Sequence, residues 1–517
     1  MKHSKKLASL LLALVMALSL AVTAFADEST TYSITINNST AGHTYEAYQI
    51  FTGDLATNEA GNKVLSNIVW GSGVSEAGQT ALGDAAAKTE TLKTEADAKA
   101  FAKAVAPYLT TAAGSANTVT DGKYVISGLA AGYYLVKDQD GSLIGDNDSY
   151  TEYIIQVVGN VTATPKSDVP EVQKKVKDIN DSTDTTKTDW QDSADYDIGD
   201  SIPFQLKATL ADNVSSYTTY KVVFHDTLSK GLTYNKDAKV YIDGTETNGF
   251  TVTATVNADG TTTLTVSCDD VKALGAGNSS VITVEYTAKL NENAVLGSAG
   301  NPNEVYLEYS NNPNKSEEGN NETGETPKDV VIVFTYKTII NKVDSETKPL
   351  TGAAFKLEKL IKGEDGAADT WTTVKEFAVD GTTTSFTFSG LDDGQYKLTE
   401  TKTPVGYNTI DPIYFVIEAT HGETADVPTL KTLNAYLTDA NGNKQTEMKD
   451  GESVNIDLGT VDLTAGSITT TVVNKSGSEL PSTGGIGTTI FYVLGGVLVL
   501  AAVVLLVTKK RMSGAEK

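Results

Sequence analysis

The sequence predicts an all-β fold: antiparallel β-sandwiches in tandem, with one short helical insertion. Three observations lead there. Thr, Val, Tyr and Ile alternate with polar residues in short runs, such as residues 251–256, 264–266 and 281–286, and period-two alternation marks a half-buried strand. Gly, Asn and Asp separate these runs, and they supply the turns of hairpins. Finally, a chain of 517 residues with distinct ends leaves room for three domains at about 100–200 residues each.

The insertion is the stretch from Thr89 to Leu109, rich in Ala, Lys and Glu. Leu92, Ala96, Phe101 and Val105 fit one helical face, which places a helix inside the first domain.

The two ends carry addressing signals. Lys2, Lys5 and Lys6 precede an uncharged apolar run over residues 7–22, and Ala24-Phe25-Ala26 follows. This is the pattern of a secretory signal, residues 1–26, cleaved before Asp27. At the other end Leu480-Pro481-Ser482-Thr483-Gly484 precedes residues 486–507, which carry no charge, and then Lys509, Lys510 and Arg511. At about 1.5 Å per residue a helix over that run reaches roughly 33 Å, enough to cross a bilayer. The basic cluster stays on the cytoplasmic side.

Composition excludes several function classes. The chain has 41 basic and 66 acidic residues, a net charge of −25, which repels nucleic acid. Cys268 is the single cysteine, so no disulfide forms within the chain. His3, His43, His225 and His421 are scattered without zinc spacing. Asp138, Asp140, Asp146 and Asp148 lack the spacing of a calcium loop and read as a solvated acidic turn. No metal or cofactor is expected. No nucleophile–base set or catalytic carboxylate pair stands out, so the chain reads as a non-enzyme.

Breaks in composition place the seams. Thr164-Pro165-Lys166-Ser167-Asp168-Val169-Pro170 makes an extended connector. A second break, rich in Asn, Glu, Gly and Pro, covers residues 311–328, and strand signal resumes at Val330. The expected domains are 27–166, 167–328 and 329–476, followed by the anchoring segment 480–517.

Several of these motifs resemble known families. The Leu480–Gly484 pentapeptide, apolar run and basic tail resemble the LPXTG cell-wall sorting signal of Gram-positive sortase substrates. The resemblance implies that a sortase cysteine attacks the Thr483 carbonyl, releases Gly484 onward and passes the acyl group to an amine. In the third domain, Asn341-Lys342-Val343-Asp344, Pro349-Leu350-Thr351-Gly352-Ala353-Ala354-Phe355, residues 394–400, Pro404-Val405-Gly406-Tyr407 and the closing run 470–475 resemble a CnaB-type domain. That implies an immunoglobulin-like sandwich and a self-catalysed Lys–Asn isopeptide bond, with Lys342 the amine, Asn474 the amide and Glu400 the acid. The chemistry has its own logic. An amine attacks an amide only when neutral, and burial lowers a lysine's pKa. The same burial raises a carboxyl, which can then donate to the amide oxygen and relay the proton.

The second domain resembles the D2-type domain of backbone pilins through residues 172–176, 198–200, 224–232 and 303–307. The resemblance implies a second triad of Lys174, Asp226 (the acid) and Asn303. Lys175 and Lys177 are alternative amines; Lys174 shares a strand face with Val172 and Val176. The first domain has no lysine in its opening strand, so no bond is expected there. Its residues 128–138 echo residues 390–400, which suggests a related sandwich. Backbone pilins also carry a linking lysine after Tyr-Pro; here the ending is Thr164-Pro165-Lys166, a partial match. The implied function is a shaft subunit of a covalent pilus, joined from Thr483 of one copy to Lys166 of the next and finally anchored to peptidoglycan. The implied partners are pilin-type and housekeeping sortases, identical subunits and ancillary pilins, with no host ligand named. The alternative is a monomeric wall-anchored adhesin or an ancillary pilin.

Overall fold

The computed structural model describes residues 30–165, 168–317, 321–449, 452–476, 498–500 and 502–506. Lys166, the signal segment and Leu480, Pro481, Ser482, Thr483 and Gly484 lie outside the described residues. Residues 498–500 and 502–506 are helical, and no described helix is long and apolar enough to cross a membrane.

The first domain sets a three-stranded sheet against a larger one. Tyr32–Asn37 lies between Lys123–Leu129, antiparallel, and Val161–Ala163, parallel. Tyr32, Ile34 and Ile36 point inward while their neighbours do not, as pleating requires. The facing sheet runs Lys63–Trp70, Tyr45–Thr57, Gly132–Asp138, Glu152–Val157. Each face of this sheet has its own core: Tyr45, Tyr134 and Val136 pack into the sandwich, and Phe51, Leu135 and Ile154 pack against helices.

The helical insertion differs from the single helix expected over 89–109. Three helices occupy it: Glu76–Leu82, Ala85–Thr91 and Glu95–Val105. The second helix ends at Thr91 with Leu92 as its C-cap, and Thr94 starts the next through a capping box with Asp97. The third helix therefore buries Ala98, Phe101, Ala102 and Val105, and Ala96 is exposed.

The second domain packs two larger sheets. One runs Ser193–Asp195, Asp329–Phe334, Asn301–Ser310, Val222–Leu228, Thr262–Cys268, Thr251–Val256. The other runs Thr245–Thr247, Lys239–Ile242, Val281–Leu290, Ser201–Thr209, Glu171–Val176. Between them sit Phe204, Leu206, Phe224, Val266, Val284 and Leu307, all buried.

The boundary with the third domain falls later than the composition break. Asp329–Phe334 pairs antiparallel with Asn301–Ser310 and is thus a strand of the second domain. Its two faces serve two cores: Val331 and Val333 belong to the second, Ile332 and Phe334 to the third. The polar stretch before it is an excursion within one sheet, not a linker between domains.

The third domain opens at Tyr336–Val343, which lies between Ser385–Leu391, antiparallel, and Ser467–Val473, parallel. The facing sheet runs Thr370–Glu376, Ala354–Ile361, Gly394–Lys402, Ile413–His421, Leu430–Thr438. First and last strands of the domain are therefore neighbours, with Lys342 opposite Val472.

Candidate isopeptide sites

In the second domain strand alternation turns Lys174 into the sandwich. Its strand Glu171–Val176 buries Lys174 and Val176 and leaves Lys175 partly exposed. Lys174 is 0 % exposed, and its Nζ lies 5.5 Å from the ring centres of both Phe204 and Tyr286. It hydrogen-bonds Asp226, which arrives from the opposite sheet on Val222–Leu228. Asn303 stands on the strand next to that of Asp226, with Leu228 opposite it. Lys174, Asp226 and Asn303 are thus gathered in one buried place. Lys175 pairs instead with Asp192, and Lys177 lies 5.0 Å over the Trp190 ring.

Tyr286 joins them, and sequence reasoning missed it. Its hydroxyl donates to Asp226 and accepts from Lys174 Nζ at 3.2 Å and from Asn303 Nδ2 at 2.8 Å. Its strand buries Ile282, Val284, Tyr286 and Ala288 in strict alternation, so Tyr286 reads as core. The available signal is that a buried tyrosine hydroxyl needs a partner.

Burial sets the protonation of this group. It lowers Lys174 against the opposing pull of Asp226, and it raises Asp226 against the pull of Lys174. Both shifts favour a neutral amine beside a neutral acid. The carbonyl oxygen of Asn303 has no hydrogen-bond partner.

The third domain gathers its three residues differently. Lys342 is 1 % exposed, and Nζ donates to the carbonyls of Val343 at 2.9 Å and Val472 at 3.0 Å. Asn474 follows the last strand and is fully buried. Its Nδ2 donates to Glu400 Oε2 at 3.0 Å and to the Asn408 carbonyl. Glu400 comes from the facing sheet on Gly394–Lys402. Its Oε2 also accepts from Thr403 Oγ1 at 3.1 Å and the Ile410 amide at 3.3 Å. The contact between acid and amide is therefore through the amide nitrogen, where the sequence argument placed it at the carbonyl. Glu400 Oε1 and Asn474 Oδ1 are buried without partners. Burial brings Lys342 down to about 8, against the charges of Glu400 and Asp344.

The first domain holds no such lysine in its opening strand Tyr32–Asn37. A histidine bridge fills its interior. His43 Nδ1 lies 2.7 Å from Asp138 and Nε2 lies 2.8 Å from Asp148, all three buried. Tyr45 stacks on the imidazole at 5.0 Å and Tyr124 meets it edge-on. The solvated acidic turn expected at Asp138, Asp140, Asp146 and Asp148 is thus corrected: only Asp140 and Asp146 face water. The other two are turned inward by His43, some 95 residues away from Asp138 in the chain.

Comparisons with known proteins follow the same division. Residues 198–313 match the family described as Gram-positive pilin backbone subunit 2, Cna-B-like domain. Residues 337–431 match a prealbumin-like fold domain, and residues 472–513 match the LPXTG cell wall anchor motif. The trypsin-resistant surface T6 protein of Streptococcus pyogenes serotype M6 is 26% identical over 450 residues, 76% of this chain and 77% of that one. Among solved structures, the three-domain T6 backbone pilin of serotype M6 S. pyogenes superposes with a TM-score of 0.55 at 19% identity, covering 88% of this chain and 100% of that one. That likeness is one of fold.

Proposed function

We propose, for a chain that belongs to the sortase-assembled backbone pilins of Gram-positive bacteria, how its polymer is linked and how each subunit is hardened. The protein is a structural subunit of a surface pilus, exported, processed by sortase and anchored at the cell wall. It is not an enzyme acting on an external substrate. The linkage runs from the Thr483 carbonyl of one copy to the Lys166 amine of the next. A pilin-type sortase makes that bond, and a housekeeping sortase finally transfers the base of the polymer to peptidoglycan. One acyl donor and one amine per subunit generate an open head-to-tail filament.

Each subunit forms two internal isopeptide bonds, Lys174–Asn303 and Lys342–Asn474. The observation that carries this is a lysine buried beside a carboxylic acid and an asparagine in each of two domains. The neutral Nζ attacks the asparagine Cγ, the C–N bond to the amide nitrogen breaks, and ammonia leaves. In the second domain Tyr286 hands its own proton to the departing nitrogen and recovers one from the neutral Asp226, whose carboxylate then takes the Nζ proton. In the third domain Glu400 carries out both transfers. The buried, unpartnered carbonyl oxygens of Asn303 and Asn474 belong to the amides that react, and each such oxygen costs about 1–3 kcal/mol.

Intact mass tests this directly. The folded chain should be lighter than its sequence by two ammonia molecules, and peptide mapping should return Lys174 crosslinked to Asn303 and Lys342 to Asn474. A mass equal to that of the sequence sinks both bonds.

A further inference from the structure

The joint between the second and third domains gathers carboxylates from both sides. One group already has its cation. Lys359 Nζ, almost wholly buried, lies 2.6 Å from Asp181 and 2.8 Å from Asp197 and also bonds Asp392.

A second group, Asp178, Asp195 and His421, has none of comparable closeness. Asp178 Oδ2 is 3.4 Å from His421 Nε2, and Asp195 Oδ1 is 3.9 Å from it. Both exceed ordinary hydrogen-bond lengths. Asp195 is 3 % exposed, yet its Oδ2 accepts no hydrogen bond. Asp393 Oδ1 is likewise buried without a partner, and the Tyr336 hydroxyl, which also makes no hydrogen bond of ordinary length, faces Asp195.

The histidine is oriented as a ligand would be. Ser193 Oγ holds Nδ1 at 2.7 Å, and the ring packs on Phe334 at 5.9 Å. That leaves Nε2 facing the two carboxylates, and a held second nitrogen is the usual arrangement behind a metal-bound imidazole. The three ligand atoms lie within 4.8 Å of one another. Ligands on a tetrahedral zinc ion, bonded at about 2.0–2.1 Å, stand roughly 3.3 Å apart. The two spacings to the imidazole, 3.4 and 3.9 Å, are near that edge length, and all three atoms have to draw in from within 4.8 Å of one another.

We propose that Asp178, Asp195 and His421 bind a divalent cation of the zinc class at this joint. An imidazole ligand selects zinc-like ions over calcium or magnesium, which prefer oxygen. Asp178 and Asp195 belong to the second domain and His421 to the third, so the ion fastens one domain to the other. Water or Asp393 completes the coordination. This site is independent of the isopeptide bonds.

The test uses the full chain without a histidine tag, stripped with chelator, equilibrated with Zn2+ and dialysed. Elemental analysis should find one equivalent of zinc, and Co2+ in its place should give the intense d–d absorption of a tetrahedral site. Asp195→Asn and His421→Gln should each lose that equivalent, while His225→Gln, at the other buried-edge histidine, should keep it. Calcium in excess should not displace the zinc. Failure of the wild type to retain zinc overturns the proposal without any variant having to fold. So does retention that survives both substitutions, or ready displacement by calcium.

Discussion

A lysine amine must lose its proton before it can attack an amide, and burial is what removes it. At the ordinary 10.5, about one Lys in three thousand is neutral at pH 7; at about 8, the value burial gives Lys342, it is about one in ten. Lys174 is driven the same way but beside a partner acid. Removing Lys174 would leave the buried Asp226 carboxyl without that partner and cost on the order of 1–3 kcal/mol, which confounds folding with chemistry. Tyr286→Phe isolates the chemistry. It keeps the ring packed on Phe204 and deletes only the hydroxyl shared by Asp226, Lys174 and Asn303. The variant should fold and form the Lys174–Asn303 bond slower on the order of 100-fold, with the third-domain bond unaffected. Time-resolved peptide mapping after refolding reads this, and a wild-type rate in the variant would remove Tyr286 from the proton path. Lys174 was legible because period two puts it on the face of Val176. Tyr286 was not, because at its position Ile282, Val284 and Ala288 ask only for something apolar.

At the scale of strands and loops, the two triads tie different things. Lys342 lies on the first strand of the third domain and Asn474 just past the last, two parallel neighbours in one sheet, so the proposed bond would join the places where tension enters and leaves the domain. Lys174 and Asn303 come from opposite sheets, so the bond proposed between them would clamp a sandwich face to face. The first domain replaces a covalent clamp with an ionic one, and that clamp has a pH range. Burial opposes charging His43, but hydrogen bonds to Asp138 and Asp148 outweigh it and raise the imidazole to about 9. The folded value lies above the unfolded 6.5, so the stabilisation is complete below about 6.5 and disappears as pH rises through about 9. The shift is worth on the order of 3 kcal/mol. Asp148 also sits in the loop that docks on the second domain, where Tyr150 N donates to the Asn311 carbonyl at 2.8 Å and Gly145 N to Thr323 at 3.0 Å. Melting of the first domain should therefore fall between pH 6.5 and 9.5 and should be nearly flat in His43→Gln. An equally steep fall in that variant would point to another group. The strands were legible from alternation, but their pairing was not. The composition break before Asp329 looked like a linker because polar excursions and linkers share a composition; only the pairing of Asp329–Phe334 with Asn301–Ser310 tells them apart. The single helix expected over 89–109 failed for a similar local reason: Thr94 and Asp97 form a cap in mid-pattern.

For the whole molecule, the question is whether the sorting signal ends a chain or extends a polymer. A chain with 66 acidic residues, 41 basic ones and one cysteine has to persist outside the cell without disulfides, and the two proposed amide crosslinks per subunit would meet that need. They would be of little use in a filament whose subunits were held by weaker contacts than the subunits themselves, so the joint between copies should be covalent too. In the sequence Lys166 falls after the first domain's closing strand Val161–Ala163 and before the second domain's opening strand Glu171–Val176, between Pro165 and Pro170, the place where the proposed joint needs an amine. Lysines that lie inside the sandwiches are occupied: Lys174 by Asp226, Lys359 by three aspartates, Lys342 by two carbonyls. Lys166→Ala should therefore abolish the high-mass ladder of wall extracts boiled in detergent, while leaving monomer that still reaches the wall, since Thr483 remains an acyl donor. Lys166→Arg should behave the same way, because a guanidinium keeps the charge but is no nucleophile at neutral pH. A ladder that survives both substitutions moves the junction to another lysine, and a wild type that yields no ladder makes the protein a wall-anchored monomer with two crosslinked domains.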